Sequence, residues 1–285
     1  MHRRHPSFRL RALLAAVPVA GLVLMGTVGT ASAAHTPANS QAALRTAVQR
    51  LLAHWHPTND AIGRVTLKEV RSKNWSGYVD TGSGYSSVTA KWTQPKISNC
   101  RTSGPLKAAV FWVGIDGFNS GSVEQDGTGA ICGQGQKLLY FTWWEMFPTN
   151  NIVFVGMSVK PGDKIFASVV RKGTRYSFKV TDSTTKRNSF TKTATCKVAG
   201  GCKNNSAEWI GERPTGQSGV LPLPKFSTWR VTAATVKARS KSGTIKNFPD
   251  DRVTMSTKMG RHVLAKPGPL NSAGNSFKDV WKASS

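Results

Sequence analysis

The sequence predicts an all-β domain of antiparallel strands, a sandwich or a barrel. Three observations predict it. From residue 73 onward, short runs rich in Val, Thr, Tyr, Phe and Trp are broken by Gly, Pro, Asn and Ser within about a dozen residues of each other. No apolar stripe at helical spacing follows residue 57, and no fixed-period repeat occurs. Hydrophobic residues make up 39% of the 285, while only four are Cys, so an apolar core rather than a disulfide framework must carry the fold.

In chain order, residues 1–33 read as a secretory signal. Arg3, Arg4, Arg9 and Arg11 form a basic start, residues 13–28 are apolar but interrupted by Pro18 and Gly21, and Ala31-Ser32-Ala33 is a small-x-small cleavage pattern. The broken run argues against a membrane anchor. Residues 34–72 read as a propeptide. Ser40 can cap a helix running to His56, with Leu44, Ala47, Val48, Leu51, Leu52 and Trp55 on one face, and Pro57 stops it. A short extended piece is expected at 66–70. Arg45, Arg50, Arg64, Lys68 and Arg71 outnumber Asp60 and Glu69, which suits a prosegment lying against a carboxylate-lined cleft.

Residues 73–285 form the predicted β domain. Strands are expected at 77–80, 85–94, 108–115, 137–147, 152–159, 164–171, 175–180, 189–195, 207–210 and 227–236, with weaker ones at 252–256 and 261–265. Local loop closure pairs Cys100 with Cys132 and Cys196 with Cys202, in keeping with export to an oxidising compartment. With no C-x-x-C and scattered His, zinc is not expected.

The formal net charge is +25, which first suggests a nucleic-acid binder. The signal and propeptide carry part of it, and residues 73–285 keep 30 basic and 12 acidic residues. The acids are the informative minority. G-x-S-x-G, H-E-x-x-H, P-loop and G-x-G-x-x-G motifs are all missing, and His262 is the one His of this body, without triad context. The acids fall instead beside aromatic runs: Asp80; Asp116; Glu124 and Asp126; Glu145 between Trp144 and Phe147; Glu208 and Glu212 around Trp209. Strand alternation places Trp143, Glu145 and Phe147 on one face and Trp144 and Met146 on the other. It likewise groups Glu208, Ile210 and Glu212.

Five motifs then occur in order: Asn74-Trp75-Ser76-Gly77-Tyr78; Trp112-Val113-Gly114-Ile115-Asp116-Gly117; Gln125 eight residues after Gly117; Trp144-Glu145-x-Phe147-Pro148; and Ala207-Glu208-Trp209-Ile210-x-Glu212. Together they resemble the glutamic peptidases, or eqolisins, over residues 74–240. The resemblance implies a concanavalin-like β-sandwich of two large curved antiparallel sheets, made as a secreted zymogen. It also implies an endopeptidase with a catalytic dyad of Gln125 and Glu212, and substrate-binding roles for Trp75, Trp112, Asp116, Glu145 and Phe147. Glu212 would act as general base toward a water and then as general acid toward the leaving nitrogen, while the Gln125 amide stabilises the oxyanion, without metal, cofactor or covalent intermediate. Activity in acid is expected. So are protein or peptide substrates, no specific nucleic-acid partner, no membrane anchor and a monomer. The chain departs from the family pattern at Asp126, where Thr is usual, at Phe147, where Tyr is common, and in the basic Arg213 after Glu212. Two other classes compete. A carbohydrate-binding sandwich would use exposed Trp and Phe as stacking platforms. A glycoside hydrolase would pair Glu145 with Glu212.

Overall fold

The structure is a computed structural model. It describes residue 46 and residues 58–284, except 67, 186–187, 217–218 and 258–259. The signal reading lies outside the described residues, and so does the 40–56 helix except for residue 46. The first strands are β1 (Ala61–Thr66), β2 (Glu69–Ser72), β3 (Trp75–Thr81), β4 (Tyr85–Thr93), β5 (Ile97–Ser98), β6 (Lys107–Asp116) and β7 (Val123–Gly133). Then come β8 (Gln136–Phe147), β9 (Asn150–Val155), β10 (Lys164–Lys172), β11 (Arg175–Asp182), β12 (Asn188–Thr195), β13 (Ser206–Glu212), β14 (Thr215–Gly216) and β15 (Gly219–Val220). The last are β16 (Lys225–Phe226), β17 (Trp229–Ala238), β18 (Lys241–Gly243), β19 (Asp250–Ser256), β20 (Val263–Pro267) and β21 (Phe277–Trp281), with a single 3₁₀ turn at Ile245–Asn247.

Two layers result. One runs β9-β8-β7-β6-β13-β3-β19-β2-β1, and the other β12-β11-β10-β4-β17. β20 and β21 join them at one edge, because β20 pairs with β19 and β21, and β21 pairs with β17. The expected sandwich is therefore present, with its two sheets continuous through this edge. A largely apolar core fills the space between the layers. Val88, Trp92, Val169, Phe178 and Trp229 of one layer meet Phe111, Val113, Trp144 and Trp209 of the other. Alternation along β6, β8 and β13 sends Trp112, Trp143 and Ile210 to the opposite face. There they form a second cluster with Trp75, Val79, Val110 and Phe141. Both predicted disulfides, Cys100–Cys132 and Cys196–Cys202, are formed. By loop length they stabilise by about 3–4 and about 2 kcal/mol.

Most expected strands are present within two or three residues of their predicted ends, but several features differ. The long β7 was not expected, and neither were β21 and the short β5, β14, β15, β16 and β18. The run expected at 152–159 ends at Val155. The piece expected at 66–70 is a hairpin, β1–β2, whose second strand pairs parallel to β19, the one parallel pair among the described strands. This hairpin is built into the sheet. Glu69 accepts from Arg252 at 2.5 Å and from Thr254 at 3.2 Å, and Lys266 lies at 3.5 Å. Val70 joins the second cluster, and Arg64 binds both Asp251 oxygens at 2.6 and 2.9 Å.

Candidate active site

The face carrying the second cluster brings the family residues together through register alone. One row across the sheet reads Glu208, Gly114, Gln125, Glu145 on β13, β6, β7 and β8. The next reads Ile210, Trp112, Gly127, Trp143, and the third reads Glu212, Val110, Gly129, Phe141. Trp75 on β3 stands opposite Glu212. Glycines alternate with large rings because the rings need their room. A Cβ at Gly127 would fall 2.2 Å from the Phe111 carbonyl oxygen and 2.8 Å from Trp112 Cβ. One at Gly114 would fall 2.8 Å from Trp112 Cζ3 and 3.2 Å from Gln125 Cβ.

Trp112 thus lies between the two residues of the expected dyad. The benzo edge of its indole covers Gly114 beside Gln125, and its Nε1 donates to Glu212 Oε2 at 3.0 Å. Asn74 Nδ2 approaches Glu212 Oε1 at 3.5 Å. Trp75 meets Trp112 edge-on, with centroids 5.0 Å apart. Gln125 Nε2 donates to Glu145 Oε2 at 2.7 Å, which leaves the second amide hydrogen and Oε1 outside that bond. Burial pushes the Glu145 carboxyl up to about 8, against the pull of hydrogen bonds from Gln125 and the Ile152 backbone. Glu145 is therefore neutral in acid and at neutrality. Phe147 follows on the same strand, partly exposed, before a cis bond to Pro148.

Asp116 is placed differently. It closes β6 with φ +70°, and its oxygens accept the backbone N–H groups of Asn204 and Asn205, each at 2.8 Å. It anchors the 202–205 loop and is not brought to the Gln125–Glu145 pair. Glu124 and Asp126 flank Gln125 and so point to the opposite, interlayer side. Asp126 stands opposite Val113 and Trp144. Burial raises the carboxyls of Asp126, Glu124 and Glu208 well above the ordinary range, and for Glu124 and Glu208 nearby Asp116 adds to the rise.

Asn74 and Arg213 were not singled out as site residues, although both adjoin motif residues. The Arg213 guanidinium is buried beside Glu212, and its Nε donates to the Lys73 carbonyl at 2.6 Å. Burial lowers its pKa to about 10, and Asp60 counters that. Asp60 belongs to a strap, residues 58–60. Asn74 Nδ2 donates to the Thr58 carbonyl at 3.0 Å, Asn59 N to the Gly117 carbonyl at 3.0 Å, and Asp60 N to Asn74 Oδ1 at 2.8 Å. Lys73 Nζ reaches Asp60 at 2.7 Å. Gln125, Glu145 and Glu208 have no solvent exposure, and Glu212 has 1%. Among the described residues no cluster of three metal-ligating side chains occurs.

This constellation has relatives. The family model of the peptidase A4 family matches residues 73–266. Aspergillopepsin-2 of Aspergillus niger is 27% identical over 219 residues, covering 70% of this chain and 76% of that protein. Scytalidopepsin B of Scytalidium lignicola is 27% identical over 150 residues, or 52% and 55% of the two chains. Among solved structures, scytalido-glutamic peptidase with a transition state analog inhibitor superposes with a TM-score of 0.63 at 21% identity, over 74% of this chain and 98% of that one. Aspergilloglutamic peptidase from Aspergillus niger gives a TM-score of 0.51 at 23% identity, over 61% and 99%. At these identities the superpositions speak to the fold.

Proposed function

This chain belongs to the peptidase A4 family and is a glutamic endopeptidase acting on protein or peptide substrates, and from that premise we propose that Gln125 works with Glu208 rather than with the expected Glu212. The observation that carries the assignment is the register: Glu208 shares the row of Gln125 and Glu145 across Gly114, whereas Glu212 lies four residues further along its strand, about 13 Å away, with Trp112 between. Glu208 takes a proton from a water aimed at the scissile carbonyl carbon. The Gln125 amide uses one hydrogen to bind Glu145, donates the other to the developing oxyanion, and its oxygen orients the water. Protonated Glu208 then delivers its proton to the leaving nitrogen. Glu212, bonded to Trp112 and Asn74, holds the indole over Gly114. A neutral Glu145 suits this chemistry, because a second anion beside the oxyanion would oppose the charge that forms there. The reading favours activity on the acid side of about 8.

The sugar-binding alternative needs exposed rings, but Trp75, Trp112 and Trp143 are fully buried here. Buried catalytic groups also fit a latent precursor: a polypeptide cannot reach Gln125 or Glu208 until the chain opens. We propose that the protein is exported through residues 1–33, works outside the cell as a monomer without a membrane anchor, and is activated by loss of its N-terminal segment. The packing of Glu69 and Val70 favours a cut upstream of the β1–β2 hairpin rather than at 72/73.

The test of the pair is protein digestion across pH by the wild type, Gln125→Ala, Glu208→Gln and Glu212→Gln, with a chelator and a serine-protease inhibitor as controls. Gln125→Ala and Glu208→Gln should lose activity, and full activity in either one removes the pair; a loss confined to Gln125→Ala and Glu212→Gln would return the role to Glu212.

A further inference from the structure

Peptide hydrolysis leaves the charge of this protein unexplained, and the structure shows where much of it sits. The strands β4, β10, β11, β12 and β17 contain nine Lys or Arg and one acid, Asp182. Asp182 stands opposite Ile165, a core residue, so it belongs to the inner face. The outer face of this layer, opposite the core, therefore carries cations and no acid.

Lys91, Lys164, Lys172, Lys179, Lys237 and Arg175 are exposed on that face, and Arg230 continues it toward Lys278 of β21. The outward positions between them are largely hydroxyls, with Phe166 and Val170 interspersed. Thr191, Lys179, Ser168, Thr89 and Thr235 form one row across all five strands, and Thr89 and Thr235 are hydrogen-bonded at 2.7 Å. None of these cations has an ion-pair partner among the described residues. Elsewhere the chain pairs its cations readily, as in Arg64–Asp251, Arg252–Glu69 and Lys160–Asp163. Register sets Lys172 directly opposite Arg175 and Lys164 one strand and two residues from Lys91, while Lys179 and Lys237 lie about 12–15 Å from their nearest neighbours.

We infer that this outer face docks a linear, flexible polyanion of phosphodiester-linked polyols. A row of unpaired cations attracts a polyanion by releasing its counterions, whatever its sequence. Most of the cations are Lys, which binds phosphate as a point charge, whereas planar carboxylates favour the Arg fork. Ser and Thr hydroxyls donate to phosphate oxygens. A nucleic acid would gain little more, because base stacking needs exposed rings and the aromatic residue of this face, Phe166, is half-buried between strands. The dyad row lies on the far side of the other layer, so a polymer bound here leaves the active site free and holds the peptidase on an anionic surface.

The experiment measures binding of the full chain to immobilised poly(glycerol phosphate) over a range of salt. It compares a face variant, Lys91→Gln/Lys164→Gln/Lys179→Gln/Lys237→Gln, with a control that removes four other exposed charges, Lys96→Gln/Lys137→Gln/Lys197→Gln/Lys203→Gln. The face variant should bind at least about tenfold more weakly, with a log–log salt slope shallower by about 3–4, while the control stays within about twofold. Peptidase activity on a soluble peptide should be the same in both. Equal losses in the two variants would reduce the effect to net charge and overturn the proposal. So would absence of binding by the wild type, or tighter binding to polygalacturonate or single-stranded DNA than to the phosphate polymer.

Discussion

Gln125 Nε2 donates to Glu145 Oε2 across 2.7 Å, and neither side chain reaches solvent. A buried amide that spends one hydrogen on a buried acid is held in a single orientation. Glu145→Ala should free it and lower kcat about tenfold or more with little change in KM, whereas Glu145→Gln, which still offers an acceptor, should retain most of the rate. Steady-state kinetics on one peptide substrate decides the point; equal losses in both variants would deny Glu145 a positioning role.

The same pair predicts a basic limb in the rate profile. Glu145, held up to about 8, ionises as pH rises through that value and puts an anion beside the oxyanion. kcat should fall above about pH 8 in the wild type, and this limb should vanish in Glu145→Gln. A limb that persists in the variant belongs to another group.

Trp112 should be sensitive at both ends of its ring. Trp112→Phe removes the N–H bonded to Glu212, a charge-assisted bond worth about 1.5–3 kcal/mol, and should lower kcat by about 10–100-fold. Gly114→Ala drives a methyl against Cζ3 of the same ring, and should cost about 1–3 kcal/mol of stability together with activity. Thermal melting and kinetics on the purified variants check both numbers.

Stability should decline as pH rises. Burial raises Asp279 to about 7 and Asp80 to about 9, and lifts Glu124, Asp126 and Glu208 in the same direction. The unfolded chain releases these protons near 4, so above that pH the native state binds more protons than the unfolded one. The contribution is complete below about 4 and is lost progressively as pH rises through the folded values. Melting temperature measured from pH 4 to 9 should fall steadily, and Asp126→Thr should flatten the fall. A melting temperature that rises over this interval would contradict the protonated state of these acids.

The β1–β2 hairpin should behave as part of the fold. A chain beginning at residue 61 should melt close to the longer form. One beginning at residue 73 loses Glu69, Val70 and the partner of β19, and should be destabilised by several kcal/mol. N-terminal sequencing of the active enzyme provides the second check: a start at Lys73 would show that the hairpin is dispensable.

The strands that the sequence made legible are those rich in β-branched and aromatic residues, such as β4, β6, β10 and β17. β7 was missed because it carries Gly127, Gly129, Gly133 and two acids, residue types depleted in strands. It is a strand because its neighbours supply the bulk, with Trp112, Phe141 and Trp143 filling the space its glycines leave. β2 was legible only as part of an extended piece at 66–70, because its parallel pairing with β19 joins residues far apart in the chain. Alternation correctly separated Trp143 from Trp144 and Ile210 from Trp209. The motifs pointed to Gln125, Glu145, Trp112 and Glu212, whereas the hydrogen bonds of Asp116 come from a loop almost ninety residues away and could not be read from its own context.

One strand, β6, lies between the strands that carry Gln125 and Glu208, which share one row. The lateral offset of the dyad is therefore two inter-strand spacings, about 9–10 Å, set by main-chain bonds that any sequence can make. Loops around the cleft are free to lengthen or shorten over evolution without resetting that offset. An insertion or deletion of a single residue within β6 is a different event. It would turn Trp112 into the interlayer core and bring Val113 to the catalytic side, so tolerance to length change should drop to nothing along this strand while remaining high at its two ends.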